Sequence, residues 1–333
     1  MPRPPRPFKV GLVQASASAK PAENVAKAVA RVAEAARRGA DVVCLQELFR
    51  TPYFCQREDP ACFNLAEPVP GPTTEALARA ARRHGVVVVA PVFERRAAGL
   101  YHNSAAVIDA DGSVAGVYRK MHIPDDPGYY EKYYFAPGDL GFPAVETRAG
   151  RIAVLICWDQ WYPEAARLAA LRGASLLLYP TAIGWHPHEK AGPGTLQRDA
   201  WRTVQRGHAI ANGLYVAAVN RVGREVPPGG GPGIEFWGSS FLCGPQGEVL
   251  AEASANREEI LIGEVDPARI EAVRRAWPFL RDRRVDAFDG LRERFLDREP
   301  DDAPGTPRPR RAATTGRTPR RRKIDPVLHS MTR

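Results

Sequence analysis

Three short stretches of this chain carry residues that could do chemistry, and each follows an apolar run. In Leu155-Ile156-Cys157-Trp158-Asp159 a strand pattern leads straight into a cysteine. A turn and Pro163 come next, so the cysteine is expected near a helix start, where the helix dipole favours a thiolate. In Val43-Cys44-Leu45-Gln46-Glu47-Leu48 a strand pattern ends in a carboxylate. A glutamate in apolar company is suited to carrying protons. In Val117-Tyr118-Arg119-Lys120-Met121-His122 a strand ends in two charges on alternate faces, one expected to point outward and one inward. Singly, these residues read equally well as a buried cysteine, a carboxylate capping backbone and a pair of solvated charges. Together they make an acyl-transfer site. The carboxylate takes the thiol proton and the thiolate attacks an amide carbonyl. The ammonium and a backbone amide stabilise the oxyanion. The same carboxylate then protonates the leaving nitrogen and activates water.

The elements that must position these groups show as apolar runs separated by helical patterns. Strands are expected at 8–14, 41–45, 86–92, 104–108, 114–118, 152–156, 175–179, 214–219, 238–242, 248–253 and 260–265. Several of these runs are continuously apolar, as in strands covered on both faces. Asp111-Gly112 and Pro245-Gln246-Gly247 mark hairpins. Helical patterns span 23–38, 73–84, 163–172 and 197–212, with Thr73 or Thr74 as N-cap of the second. Two strand–helix–strand segments carry similar punctuation, Arg38-Gly39-Ala40-Asp41 and Arg172-Gly173-Ala174-Ser175. In each the glycine fits a left-handed helix stop, so two related α/β halves are expected. Residues 221–233, with their Pro-Gly run, read as a loop.

Composition narrows the function class. The chain has 333 residues, 44% hydrophobic content and a net charge of +9. No apolar run approaches the roughly 20 residues of a membrane span. The Pro/Arg-rich extension at 1–7 has no apolar stretch behind it, unlike a secretory signal, so a cytoplasmic protein is expected. The five cysteines are irregularly spaced without a CxxC pair, which argues against zinc and disulfide frameworks. Cys44 reads as a small core residue. From Asp301 onward there are nine Lys or Arg against three Asp, so most of the excess charge lies in a terminal segment. Residues 298–333 are read as a disordered basic tail, which makes nucleic acid an improbable main partner.

The ordered set of motifs resembles the nitrilase superfamily of carbon–nitrogen hydrolases. Its Glu–Lys–Cys triad matches Leu45-Gln46-Glu47, Tyr118-Arg119-Lys120 and Ile156-Cys157-Trp158-Asp159. His102-Asn103-Ser104, Phe135-Ala136-Pro137-Gly138-Asp139, Pro163-Glu164 and the stretch from Ser175 to Pro180 match as well. The match runs over about residues 8–290. The resemblance implies an α/β fold, a four-layer αββα sandwich, in one hydrolase domain over 8–297. It also implies a homodimer or larger homo-oligomer packed through helices near the site, and no metal or organic cofactor. A second glutamate of the family, which orients the lysine, matches Glu131.

Within that family, the stretch from Met121 to Lys132, the stretch from Tyr179 to Gly184 and Phe279-Leu280-Arg281-Asp282-Arg283-Arg284 look like the N-carbamoylputrescine amidase branch. This implies hydrolysis of N-carbamoylputrescine to putrescine, ammonia and CO2. The alternatives within the family are β-ureidopropionase, N-carbamoyl amino acid and ω-amidase activities. A small-molecule carbamoyl or amide substrate with a cationic amine calls for a carboxylate or an aromatic face. Asp125, Asp126, Tyr130 and Trp158 are the candidates. Some relatives carry an acidic residue just after the counterpart of Ala182-Ile183-Gly184; the nearest here is Glu189. His102, His122, His186 and His188 suggest a Cys–His or metal site, but no histidine base is required beside Glu47 and Lys120.

Overall fold

The computed structural model describes residues 6–296. The basic tail and most of the N-terminal extension therefore lie outside the described residues. The chain divides into two compact units, 1–283 and 284–333. The described part of the second holds two short 3-10 turns, Val285–Ala287 and Asp289–Arg292. All architecture that follows belongs to the first.

Its first half runs β1 (Phe8–Gln14), α1 (Pro21–Arg37), β2 (Val42–Leu45), α2 (Pro72–His84), β3 (Val87–Ala97), β4 (Leu100–Ile108) and β5 (Val114–Arg119). A two-residue ribbon, β6 (Asp125–Asp126) with β7 (Tyr129–Tyr130), follows. The second half runs β8 (Ala144–Thr147), β9 (Gly150–Val154), α3 (Pro163–Leu171), β10 (Leu176–Pro180), β11 (Gly184–Trp185), α4 (Gly194–Asn212) and β12 (Tyr215–Val219). It continues through β13 (Val222–Glu225), β14 (Ile234–Trp237), β15 (Phe241–Cys243) and β16 (Val249–Glu252). Then β17 (Glu259–Val265) and α5 (Pro267–Ala276) complete the unit.

Two six-stranded sheets result, ordered β17-β1-β2-β3-β4-β5 and β8-β9-β10-β12-β15-β16. Both read antiparallel edge strand, three parallel strands, then two antiparallel strands. The two α/β halves expected from the repeated glycine punctuation are thus present as matching sheets. Gly39 and Gly173, with φ of 88° and 86°, follow α1 and α3 and turn the chain into the next strand.

Alternation along the strands explains the layers. In β2, Val42 and Cys44 face the second sheet, while Val43 and Leu45 face α1 and α2. The outer helices answer with small residues: Ala28, Val32 and Ala35 from α1, Leu77, Ala80 and Ala81 from α2. On the other side, Ala165, Ala166 and Ala169 of α3 and Trp201 of α4 cover the second sheet. The order is helices, sheet, sheet, helices: a four-layer αββα sandwich.

The expected boundaries shift in several places. The N-cap of α2 is Gly71, not Thr73 or Thr74, because Pro72 occupies the first turn. Thr74 Oγ1 instead accepts from the Gly71 N–H at 2.8 Å and donates to the Gly71 carbonyl at 2.9 Å. Residues 221–233 are not all loop, since Val222–Glu225 pair with Ile234–Trp237 and the glycine run is the hairpin between them. The strand expected at 238–242 starts at Phe241, because Gly238 and Ser239 have φ of 52° and 54° and cannot extend. No described helix is long and apolar enough to cross a membrane.

Candidate active site

Both sheets contribute to one end of the sandwich. β2 ends at Leu45, and two residues later Glu47 is fully buried. β5 ends at Arg119, and Lys120 beyond it is also fully buried. Lys120 Nζ lies 2.9 Å from Glu47 Oε1 and 2.6 Å from Glu131 Oε2. Glu131 opens a 3-10 turn after the β6–β7 ribbon and is 1% exposed, so it is no surface residue. Its second oxygen accepts from the Tyr53 hydroxyl at 2.7 Å. Asn103 Nδ2 donates to Glu47 Oε1 at 2.7 Å, which leaves Glu47 Oε2 buried without a protein partner.

Cys157 comes from the other sheet. β9 ends at Val154, and Cys157 opens a 3-10 turn over Cys157–Trp161 with φ of 45°. A left-handed conformation at a non-glycine residue is strained, and such residues gather where geometry is functional. Buried Asp159 holds the turn in place. Its Oδ2 accepts from the Ile156 N–H at 2.9 Å and the Tyr118 hydroxyl at 2.7 Å. Its Oδ1 accepts from the His122 N–H at 3.0 Å and lies 2.7 Å from His122 Nδ1. Asp159 therefore ties the cysteine turn to both flanks of Lys120 across the two sheets. The His122 ring stacks on Tyr162 with centroids 3.6 Å apart. These contacts place His122 on Asp159.

The electrostatics follow from burying two carboxylates with one ammonium. Burial alone favours the neutral amine at Lys120. Glu131 and Glu47 outweigh it and hold the ammonium well above the ordinary lysine range. At Glu131 burial wins over the opposing pull of Lys120 and pushes the carboxyl up to about 7. The Cys157 thiol goes up as well, chiefly through burial and then through Glu47; Lys120 and a backbone hydrogen bond to Ala182 pull the other way. The thiolate expected from a helix start is therefore not the resting form. The first turn after Cys157 is a short 3-10 turn, and its dipole is too weak to offset full burial. A neutral thiol beside a buried carboxylate with a free oxygen can ionise only by handing its proton over.

The other sequence candidates lie around this cluster. Asp125 and Asp126 are exposed on the β6–β7 ribbon, while Tyr130 and Trp158 are partly buried. The Trp158 ring meets Trp161 edge-on at 6.2 Å. Tyr129 rather than Tyr130 turns inward, with its ring 5.5 Å from Tyr53 and its hydroxyl 3.3 Å from the Gly184 backbone. Burial pushes that hydroxyl up, with smaller upward effects from Cys157 and Glu189. Sequence reading missed Tyr53, Asn103, Tyr129 and Asp159 as parts of the site. Asn103, Tyr129 and Asp159 carried a signal, by standing inside quoted motifs, and Tyr53 did not. Among the described residues no group of three or more His, Cys, Asp or Glu is placed to hold a metal ion.

Known proteins are similar to this chain in sequence and in fold. The carbon–nitrogen hydrolase family model matches residues 9–275. N-carbamoylputrescine amidase from Solanum lycopersicum is 46% identical over 80% of this chain and 89% of its own length. Citrullinase from Francisella tularensis subsp. tularensis is 42% identical over 86% of this chain and 99% of its own. The crystal structure of a carbon–nitrogen hydrolase from Helicobacter pylori G27 superposes with a TM-score of 0.85. It has 48% identity and covers 87% of this chain and all of that one.

Proposed function

The chain belongs to the carbon–nitrogen hydrolase family, and from that premise we propose that it hydrolyses N-carbamoylputrescine to putrescine, ammonia and CO2 through a cysteine acyl-enzyme. The observation that carries the chemistry is the buried Glu47–Lys120–Glu131 cluster beside a thiol that burial keeps protonated. Glu47 accepts the Cys157 proton as the sulfur adds to the carbamoyl carbon. The oxyanion that forms faces the Lys120 ammonium and a backbone amide of the cysteine turn. Glu47 returns the proton to the departing nitrogen, ammonia leaves, and an S-carbamoyl enzyme remains. Water, deprotonated by Glu47, opens the thioester, and the released carbamic acid loses CO2 to give putrescine. Glu131 holds Lys120 and takes no proton from substrate.

Support for the substrate comes from identities of 43–46% to plant N-carbamoylputrescine amidases over 80–86% of the chain. In this reading Asp125, Tyr130 and Trp158 line the path to the amine end, where a cation needs a carboxylate or an aromatic face. A homo-oligomer in the cytoplasm, with no cofactor, completes it on the strength of the family resemblance. Citrulline is the second reading, favoured by the 42% identity to citrullinase; it presents the same terminal ureido group with an added carboxylate.

Ammonia release from N-carbamoylputrescine, citrulline, N-carbamoyl-β-alanine and glutamine, beside a Cys157→Ala control, tests both levels. Preference for N-carbamoylputrescine by about 100-fold in kcat/KM, about 2.7 kcal/mol of transition-state discrimination, is the expected result. Preference for a carboxylate-bearing substrate replaces the amine assignment and keeps the chemistry. Undiminished ammonia release by Cys157→Ala removes the nucleophile.

A further inference from the structure

One fully buried cation stands outside the cluster described above. Arg221 lies two residues past the end of β12, and its side chain has no exposure. It reaches the turn that carries Glu47. Nη2 donates to the carbonyls of Glu47 at 3.0 Å and Leu48 at 2.8 Å, and Nη1 to the Thr51 carbonyl at 2.9 Å. Nη1 also donates to Glu225 Oε1 at 2.7 Å. The guanidinium lies over the Phe236 ring, 5.5 Å from its centroid. All four terminal N–H donors are therefore committed.

Within the turn itself the Thr51 N–H donates to the Leu48 carbonyl at a long 3.3 Å. Leu48 has φ of 49°, which costs a residue with a Cβ about 1–2 kcal/mol. Three carbonyls of the turn aim at one point, where without a cation they would repel one another. The contacts continue beyond the turn. Glu225 Oε2 accepts the Tyr53 N–H at 2.5 Å, and the Tyr53 hydroxyl braces Glu131, which braces Lys120. The preceding residue faces the other way. Asn220 Oδ1 accepts from the Ile183 N–H at 3.1 Å and Nδ2 donates to the Ile183 carbonyl at 3.0 Å. Ile183 follows Ala182, whose backbone hydrogen-bonds the Cys157 thiol.

We propose that Arg221 is a positioning residue for acyl transfer. With Glu225 it sets the Glu47 turn and, through Tyr53 and Glu131, the Lys120 ammonium. Asn220 beside it sets the backbone at the thiol, so one dipeptide fixes the base and nucleophile sides against each other. A lysine cannot take over, because three donors on one atom cannot span three carbonyls and a carboxylate. The proposal rests on the assignment of Cys157 and Glu47 made above.

The test uses the full chain carrying Arg221→Lys, with Glu225→Gln as a near-isosteric second variant. Four properties are read: kcat and KM, the pH dependence of Cys157 alkylation by iodoacetamide, thermal unfolding and far-UV circular dichroism. A base displaced by about 1 Å predicts a kcat loss of about 100-fold for Arg221→Lys with a much smaller change in KM. Alkylation should slow, and its pH dependence should move upward as the thiol loses its proton acceptor. Glu225→Gln should lose about tenfold in kcat with the same direction of pH shift. If Arg221→Lys fails to fold, Glu225→Gln decides alone. A folded variant with lowered Tm but wild-type kcat and alkylation profile overturns the proposal, since Arg221 then serves stability only. Full activity in Cys157→Ser would instead overturn the underlying catalytic assignment, whatever the Arg221 variants do.

Discussion

Two neighbouring residues at the end of β5 feed two buried charge clusters that behave in opposite ways. Arg119 donates through Nε and Nη2 to Glu94 at 2.8 and 2.6 Å, and through Nη1 to Asp139 at 2.7 Å. Ser104 adds a bond to Glu94 at 2.6 Å. Lys120, one residue on, meets Glu47 and Glu131, and Asn103, one residue before Ser104, adds its bond to Glu47. In the first cluster a planar fork meets a carboxylate on both oxygens, and the second acid, Asp139, is left mostly in water. In the second, one ammonium is shared by two fully buried carboxylates, and a carboxylate oxygen is left over. Burial works against ionisation of Glu94, yet the bonds from Arg119 and Ser104 hold its carboxyl below the ordinary range. Glu131 goes the other way. A balanced buried pair holds structure, whereas an unbalanced one keeps a proton movable.

The largest expected break in this comparison comes from removing each cation. Lys120→Met should cost on the order of 1000-fold in kcat, because the oxyanion loses its charge partner. Arg119→Met should instead cost about 3 kcal/mol of stability by stranding buried Glu94, with kcat changed far less. Urea denaturation and steady-state kinetics on both variants read the two effects separately. Equal kcat losses would erase the distinction between the clusters.

The next effect is a difference of sign with pH. Glu131 has its carboxyl raised on folding, so the native state holds the proton more tightly than the unfolded chain. Its contribution is complete below the ordinary carboxylate range and is lost as pH rises through about 7. Glu94 is lowered, so its contribution is present above that range and is lost on acidification. Thermal unfolding of Glu131→Gln and Glu94→Gln across pH, each referred to wild type, should give curves of opposite slope. Parallel curves would count against the difference in protonation. The smallest effect sharpens the comparison on β4. Ser104→Ala should cost about 1 kcal/mol and leave turnover unchanged, while Asn103→Ala, at similar stability cost, should lower kcat by freeing the Glu47 carboxylate.

Sequence reading reaches only part of this. Glu47, Lys120 and Cys157 are legible because each follows an apolar strand pattern, and strand ends share one side of a sheet. The two halves are legible because Gly39 and Gly173 punctuate them alike. Arg119 is not: alternation predicts that one of Arg119 and Lys120 faces solvent, yet Arg119 is only 8% exposed. Glu94 and Ser104 meet it there, and no local pattern announces a partner 25 residues away. Tyr53 escapes for the same reason, since its role depends on Glu131, 78 residues on. The strand Val222–Glu225 is hidden by the adjoining Pro-Gly run, whose composition reads as loop throughout. Asp125 is drawn to notice by its motif, but it lies on the exposed strand of the ribbon, whose partner strand carries the inward-turned Tyr129.

The assignment of groups to sheets has a practical consequence. Glu47 and Lys120 extend from one six-stranded sheet and Cys157 from the other, with Asp159 bridging them. With the roles proposed above for these residues, turnover gauges how well two layers are docked, as well as whether each has formed. In a denaturant series, slippage between the layers would silence the enzyme while each sheet kept its circular dichroism. A mutation deep between the layers, far from any reacting atom, could register first as a slow enzyme and only later as an unstable one.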